Sequence, residues 1–128
     1  MPTHRLTRTW QDAGNESVTQ QETITADGET NLDVAVPDSS TDLQANLAVD
    51  ISELQSFYMS SDRDLTVKTN SSGTPDDTIA LKANKPLIWT PNCGFSNPFS
   101  ADLTALFLTN ASGTDATLQV RLLQDVTP

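Results

Sequence analysis

Hydrophobic and polar residues alternate along several short segments of the chain, and a period of two residues predicts β-strands. Alternation is clearest in residues 43–51, where every second side chain is apolar: Leu43, Ala45, Leu47, Val49 and Ile51. Residues 29–36, 65–69 and 78–81 repeat the pattern over shorter lengths. These segments predict strands with one buried and one solvated face.

Three segments depart from simple alternation. Residues 87–89, LIW, are apolar throughout, which predicts either burial on both sides or an interface. Residues 103–108 are partly apolar on both sides, as expected of a central strand or of a strand covered by a neighbouring subunit. In residues 116–124 one face is regularly apolar, but Leu123 lies on the polar side.

Turn-forming residues separate the strands and suggest which strands pair. The Asp-Gly dipeptide at 27–28 readily adopts positive φ and predicts a tight hairpin that pairs residues 17–26 with 29–36. The turn at 111–115 predicts a second hairpin, made of two long strands at the end of the chain. In residues 53–59, Leu54, Phe57 and Tyr58 have helical spacing, but the segment is short and is interpreted as one turn followed by a strand.

The segments add up to about nine or ten strands without a convincing helix. The predicted fold class is therefore all-β, an antiparallel β-sandwich or jelly roll with an N-terminal arm. A chain of 128 residues fits one domain. We expect residues 1–16 to form the arm and residues 17–128 to form a single β-sandwich domain.

Composition supports strands and loops, and net charge excludes some partners. The chain has 18 Thr and 12 Ser, and its acidic residues are 13 Asp against 4 Glu, a bias toward residues that bond to turn backbone. The net charge is −10. Because proteins that neutralise phosphates need the opposite charge, we expect neither nucleic acid nor an anionic membrane as a partner.

The first ten residues differ from the rest in charge. They carry Arg5 and Arg8 together with His4 and no acid, a charge of +2 with His neutral. The net charge of the other 118 residues is therefore −12. These charges are either incidental features of a frayed terminus or a basic arm that docks on an acidic neighbour, such as another copy of this chain. In the second case, removal of residues 1–10 should leave the domain folded and weaken assembly.

Residues suited to catalysis or cofactor binding are scarce. His4 is the lone histidine and Cys93 the lone cysteine, which speaks against a Ser-His nucleophile, a zinc site and an intrachain disulfide. Five scattered glycines supply no phosphate-binding loop. We expect no enzyme, no catalytic residue and no cofactor, and a small, semi-buried Cys93 thiol rather than a reactive one.

Two carboxylate pairs remain, Asp62 with Asp64 and Asp76 with Asp77. They are interpreted as solvated turn acids, although calcium is the better functional alternative because Asp and loop carbonyl oxygens are its ligands. The spacing lacks the EF-hand pattern, so no metal ligand is assigned.

Apolar residues outside the strands are the candidates for contact with a partner. In residues 91–102, Phe95 and Phe99 either cover the open end of the core or present an apolar contact. We predict an interface formed by the arm and this loop: Arg5, Arg8, Trp10, Phe95 and Phe99. The chain begins with no secretory leader and has no apolar run near 18 residues, so we expect synthesis and assembly in a cytoplasm, without export through the general secretory route.

The segments SSDRDLTVKTNSSGTPDDTIALKANKPLIWT and LTALFLTNASGTDATLQVRLLQD resemble small virion proteins of tailed bacteriophages, of the head decoration or cement kind. The resemblance covers about residues 43–125. It implies a β-sandwich that binds the major capsid protein on the virion capsid surface, often as a homotrimer, and stabilises the shell. A tail or fibre module that binds carbohydrate or a host surface is the alternative, for which Trp89, Tyr58 and the loop phenylalanines are the candidate residues.

Overall fold

A computed structural model describes residues 2–14 and 16–125, and in this part of the chain it contains ten β-strands and no α-helix. The all-β prediction is confirmed. The strands are β1 (Thr3–Gln11), β2 (Ser17–Thr25), β3 (Gly28–Val36), β4 (Leu43–Val49), β5 (Leu54–Ser61), β6 (Leu65–Thr69), β7 (Thr78–Leu81), β8 (Leu87–Trp89), β9 (Leu103–Thr109) and β10 (Ala116–Gln124). A 3-10 turn at Ile51–Glu53 precedes β5, as the turn-then-strand interpretation predicted.

Eight of the strands form two antiparallel four-stranded sheets, and the other two form a separate hairpin. The first sheet has the order β3-β10-β5-β8 and the second has the order β4-β9-β6-β7. Counted from β3, these orders are 1-8-3-6 and 2-7-4-5, which is the strand order of a jelly roll. Strands β1 and β2 pair with each other over residues 3–11 and 17–25, and we call this unit the hairpin.

The core lies between the inner faces of the two sheets. Leu118, Val120 and Leu122 of β10 are completely buried, and Val67 of β6 is completely buried as well. Burial of each such side chain contributes about 1.5–3 kcal/mol to folding. The alternation of the sequence therefore marks the inner face of the sandwich.

A pair of aromatic rings belongs to the same core. Phe57 of β5 and Phe99 of the loop after β8 meet edge to face, with ring centroids 4.9 Å apart and an interplanar angle of 74°. Both side chains are almost fully buried. Phe99 therefore covers the core, which was the first of the two alternatives for this residue.

Strand position explains the segments that were apolar on both faces. β9 is a central strand between β4 and β6, and Leu106 and Leu108 are fully buried within it. Leu123 lies on the outer face of β10, where Ile24 and Ala26 cover it in a small second cluster. The hairpin thus provides the burial that Leu123 needs on the polar side of its strand.

The predicted pairing of residues 17–26 with 29–36 is wrong. β2 pairs with β1, whereas β3 pairs with β10. Asp27 and Gly28 are absent from the positive-φ residues of the described chain, and Gly28 is the first residue of β3, so the dipeptide does not form the predicted positive-φ turn. The apolar face of β3 needs the apolar face of β10 across from it, and the largely polar β2 cannot supply one.

The predicted hairpin between the last two strands is also wrong. β9 pairs with β4 and β6 in one sheet, and β10 pairs with β3 and β5 in the other, so the intervening turn crosses between sheets. Asn110 holds this crossing, because its Nδ2 donates to the carbonyl oxygens of Val36 at 2.9 Å and Thr114 at 2.8 Å. Gly113 accommodates the crossing at φ 88°.

Residues 3–11 are a strand rather than a loose terminus. The predicted boundary between residues 16 and 17 falls directly at the start of β2, after the turn that joins β1 to β2. In that turn Asp12 accepts hydrogen bonds through Oδ1 from the backbone N–H groups of Gly14 at 2.8 Å and Glu16 at 3.0 Å. The division into an arm and a domain at this position stays a prediction.

Candidate assembly surface

The hairpin has two faces of different chemistry. One face consists of cross-strand pairs that point toward the sandwich: His4 with Ile24, Leu6 with Glu22, Arg8 with Gln20, and Trp10 with Val18. The opposite face is solvated and made chiefly of Thr and Gln side chains, with Arg5 as its charged residue. The alternation within β1 therefore separates Arg5 from Arg8, which the sequence analysis had grouped together.

The base of the hairpin is held on the outer face of the first sheet. The two ring nitrogens of His4 lie 3.0 Å from Ser56 Oγ and 3.0 Å from Glu29 Oε2. Glu22 accepts a hydrogen bond of 2.9 Å from the hydroxyl of the buried Thr90. These polar contacts, together with the cluster around Leu123, fix the hairpin on the sandwich.

Farther along the hairpin, Arg8 contacts the loop that follows β8. Its Nη2 donates to the carbonyl oxygen of Cys93 at 3.1 Å and lies 3.4 Å from Gln20 Oε1. The Cys93 side chain is 7% exposed, in accord with the semi-buried thiol that was predicted. Arg8 thus fixes the hairpin to the loop.

The end of the hairpin is not buried against the sandwich as its base is. Trp10 and Val18 continue the row of sandwich-facing pairs, yet each is 63% exposed. A shallow groove of about 500 Å³ opens beside them, and Asn92, Cys93 and Gly94 form its other side. A face that is buried at the hairpin base is therefore open at the hairpin tip.

Phe95 is a third exposed apolar residue, and it directly follows Gly94, which lines this groove. That glycine has a φ of 92°, and Phe95 is 73% exposed. Its carbonyl oxygen accepts a 2.9 Å hydrogen bond from Trp89 Nε1, so the backbone is held while the ring faces solvent. We call Trp10, Val18 and Phe95 the tip surface.

The tip surface contains three of the four large hydrophobic residues that are exposed in the described chain; Ile88 is the fourth. Scattered apolar residues on a surface are ordinary, whereas a cluster indicates a contact site. Val18 was missed in the sequence analysis because β2 was paired with the wrong strand. A hairpin turn at DAGN, residues 12–15, would have brought Val18 opposite Trp10.

The five predicted interface residues lie in different environments. Trp10 and Phe95 belong to the tip surface, Arg8 lies in the groove beside it, and Arg5 is exposed on the opposite face of the hairpin. Phe99 is in the core and its ring is inaccessible to a partner. The structure therefore brings Arg8 and Trp10 together in one groove, and Phe95 directly follows Gly94 on the other side of that groove.

The basic character of the arm disappears when its strand partner is included. Residues 3–25 contain two arginines against Asp12, Glu16 and Glu22, a net charge of −1 from +2 and −3. The hairpin as a unit is therefore not basic, and attraction to an acidic partner would have to act locally, near Arg5 or Arg8.

The two carboxylate pairs accept hydrogen bonds from residues in and beside the loops of the sandwich. Asp62 accepts from the backbone N–H of Thr117 at 2.9 Å, and Asp64 accepts from that of Ala83 at 2.8 Å. Asp76 accepts from the side-chain amide of Asn70 at 2.7 Å, and Asp77 accepts from the backbone N–H of Ser100 at 2.8 Å. Among residues 2–14 and 16–125, no group of three potential ligands has the geometry to hold a metal ion.

The contacts of His4 have the composition of a Ser-His-acid triad, with Ser56 and Glu29 as the other members. A serine nucleophile needs an accessible Oγ and N–H donors directed at the developing oxyanion. Ser56 is only 6% exposed and lies in β5, a strand paired on both sides. These contacts of His4 join the hairpin to β5 and β3 of the first sheet.

No family model, no curated protein and no solved structure matches this chain. Within the described residues, no helix is long and apolar enough to cross a membrane.

Proposed function

We propose that this protein is a non-enzymatic structural virion protein that decorates and stabilises a bacteriophage capsid, with the major capsid protein as its partner. The observation that carries the proposal is the tip surface: three of the four exposed large hydrophobic residues in the described chain are Trp10 and Val18 at the hairpin tip and Phe95 in the loop beside the same groove, on an acidic chain. Clustered apolar residues with a polar rim are the usual composition of a contact between proteins.

The chemistry of the rest of the surface supports the same function. A net charge of −10 keeps decorated particles soluble and repels them from one another. A single tip contact would be weak, but many copies on a symmetric shell add avidity when the copies are linked to each other. The jelly roll itself hosts many functions, so the proposal depends on the tip and on the resemblance of residues 43–125 rather than on the fold.

The test is binding to capsids that lack this protein, in native and expanded form, measured by co-sedimentation. We expect the unaltered chain to bind and the double variant Trp10→Ala with Phe95→Ala to lose at least tenfold in affinity. Asp38→Ser, an exposed change elsewhere, is the control and should bind normally. Absence of binding by the unaltered chain to both forms of the capsid would refute the proposal.

A tail or fibre module that binds carbohydrate is the second candidate, and one observation favours it. The exposed indole of Trp10 is flanked by the planar polar groups of Arg8, Gln20 and Asn92, a combination that suits stacking on a sugar ring and bonding to its hydroxyls. Trp89 does not offer such a platform, since it packs against the core and bonds to a backbone carbonyl. A glycan array on which Trp10→Ala removes the signal would support this function, and an array without signal would count against it.

A further inference from the structure

A second groove, of about 510 Å³, follows the other half of β1. It is lined by residues 3–7 of β1 and by side chains on the outer face of the first sheet, among them Ser56, Tyr58, Ile88 and Arg121. No residue of β2 lines it, so the groove lies along the edge of β1 that faces away from β2 and is bordered by residues from both faces of β1. We call it the β1 groove.

The side of the groove that belongs to the first sheet is a row of three residues from neighbouring strands. Arg121 of β10 lies opposite Tyr58 of β5, and Tyr58 lies opposite Ile88 of β8. Ile88 is exposed, whereas Tyr58 and Arg121 are half-buried. A guanidinium, a phenol and an aliphatic side chain therefore lie next to one another in this groove.

Arg5 is the arginine of the groove that has no acidic partner. Arg121 forms an ion pair with Asp33 at 3.0 Å, and His4 lies 3.0 Å from Glu29. The Arg5 side chain has neither an ion pair nor a hydrogen bond among the described residues, and no described residue that lines the groove carries a carboxylate. Since a guanidinium presents a planar fork of N–H donors, Arg5 is suited to bind the carboxylate of a ligand.

Two hydroxyl groups along the groove also lack a protein partner. The hydroxyls of Tyr58 and Thr7 form no hydrogen bond within the part of the chain that the structure describes. In contrast, the hydroxyl of Thr9, two positions farther along β1, lies 3.3 Å from that of Thr19. Because a hydroxyl both donates and accepts, the two free hydroxyls suit a ligand that carries hydroxyl groups of its own.

We propose that the β1 groove binds a sugar acid, that is, a hydroxylated ring with one carboxylate. The carboxylate bonds to Arg5, and the ring hydroxyls bond to Tyr58 and Thr7. A C–H face of the ring packs against Ile88, which is the exposed large hydrophobic residue of the jelly-roll strands. The volume of the groove, about 510 Å³, lies within the range of about 300–1,000 Å³ that is usual for small ligands.

The charge of the groove favours a ligand with a single negative charge. Only Arg5 among its arginines is unmatched, and the whole chain carries a net charge of −10. A carboxylate neutralises Arg5, whereas the second negative charge of a phosphate ester would stay unmatched in a negative field. The ligand is therefore a carboxylate rather than a phosphate.

The first test titrates the purified full-length chain with glucuronate and follows the methyl signals of Ile88 by NMR. Glucose, which has the same ring without the carboxylate, and glucose 6-phosphate, which carries a second negative charge, are the matched controls. We expect saturable binding of glucuronate and binding of both controls that is weaker by about tenfold or more, since a charge-assisted hydrogen bond is lost or opposed. Absence of saturation by glucuronate, or equal binding of either control, would overturn the proposal.

The second test locates the ligand with variants of the groove. Arg5→Gln and Arg63→Gln each remove one exposed positive charge, and Arg63 lies outside the β1 groove. We expect Arg5→Gln to weaken glucuronate binding about tenfold or more and Arg63→Gln to change it by less than about twofold. Equal effects of the two variants would contradict the assignment to Arg5.

Tyr58→Phe completes this test, because it removes the hydroxyl and keeps the ring. It should weaken glucuronate binding and leave urea unfolding unchanged, since the hydroxyl has no partner within the described residues. Unchanged binding by this variant would exclude the contact with Tyr58 and count against the proposed pose.

A free sugar acid and the same unit in an acidic polysaccharide present the same carboxylate and hydroxyls. Titration with a glucuronate-containing oligosaccharide distinguishes these two sources: tighter binding than glucuronate supports a polysaccharide, and equal binding supports the free acid. All of these tests use the isolated protein and a groove outside the tip surface, so their outcome is independent of capsid binding and of the proposed function.

Discussion

The sandwich and the hairpin are built from strands of similar length, but they gain their stability differently. The two sheets of the sandwich enclose seventeen buried apolar side chains, including Phe57, Val67 and Leu122. The hairpin rests on a cluster of Ile24, Ala26 and Leu123 and on a few polar contacts. A two-stranded hairpin is marginally stable by itself, so this one depends on the sandwich beneath it.

The difference between the sandwich and the hairpin suggests that the two regions have different roles. The sandwich buries its apolar residues and protects most of its edges, whereas the hairpin exposes Trp10 and Val18 and leaves a long edge open. Exposed apolar groups and open edges are useful where a protein meets a partner. The stability of this protein therefore resides in the sandwich and its candidate contacts in the hairpin.

The largest effect should come from Phe57→Ala. The ring is fully buried and contacts Phe99 edge to face, so its removal leaves a cavity and should reduce the free energy of unfolding by about 3–5 kcal/mol. Phe95→Ala removes the same ring from a site that is 73% exposed and should change stability by less than about 0.5 kcal/mol. Urea unfolding followed by circular dichroism measures both, and similar losses would remove the distinction between core and tip.

Asn110→Ala should have the next largest effect. Its side chain is 1% exposed and supplies donors to the carbonyl oxygens of Val36 and Thr114, which would be left without them. An unsatisfied buried polar group costs about 1–3 kcal/mol, and two are affected. Asn31→Ala, on the exposed face of β3, is the matched control and should be nearly neutral in the same unfolding measurement.

Removal of residues 1–25 tests the independence of the sandwich. We expect a folded sandwich with a free energy of unfolding lower by about 1.5–3 kcal/mol, because Leu123 loses its cover. Leu123→Thr in the shortened chain should restore solubility if exposure of Leu123 causes aggregation. This deletion is cleaner than removal of residues 1–10, which would leave β2 without its partner. Loss of folding in both shortened chains would make the hairpin an integral part of the domain.

The smallest effect concerns pH and belongs to the sandwich. The pKa of Asp50 is lowered from its ordinary value because the hydroxyl of Ser52 and then its backbone N–H donate to the carboxylate at 2.6 Å and 3.0 Å. A depressed pKa in the folded state contributes stability above the pKa of the unfolded chain, about 3.9, and that contribution is lost as the pH falls through the folded value.

The matching experiment measures urea unfolding of the unaltered chain and of Ser52→Ala between pH 6 and pH 3. Removal of the hydroxyl takes away the first of the two donors to Asp50. The difference in stability between the two proteins should therefore be present at pH 6 and shrink below about pH 4. A difference that stays constant over this range would exclude the linkage to Asp50.

Much of the secondary structure was predictable from local pattern. The alternation in residues 43–51 corresponds to β4 and the 3-10 turn, and residues 65–69 and 78–81 correspond to β6 and β7. Of the candidate contact residues, Trp10 and Phe95 are exposed as an interface requires, whereas Phe99 is in the core. Residue type alone could not separate the two phenylalanines, because both stand in the same loop after β8, only four positions apart.

The alternation of hydrophobic and polar residues could not predict which strands pair with each other. Residues 29–36 and 116–124 are adjacent in the first sheet although more than 75 positions separate them in the chain, and nothing local in either segment specifies the other. The Asp-Gly dipeptide at 27–28 suggested a local partner instead, and that suggestion failed because β3 gains more burial against β10.

The sequence by itself determined that this protein is all-β, acidic and poor in catalytic groups, because alternation and composition act within a few residues. The tertiary structure alone decided which strands share a sheet, that β1 and β2 form a separate hairpin, and that Trp10 and Val18 lie together beside the loop that carries Phe95. The physical reason is that long-range pairing is selected by the total apolar surface buried between two sheets, a quantity that belongs to the whole chain and to no single segment.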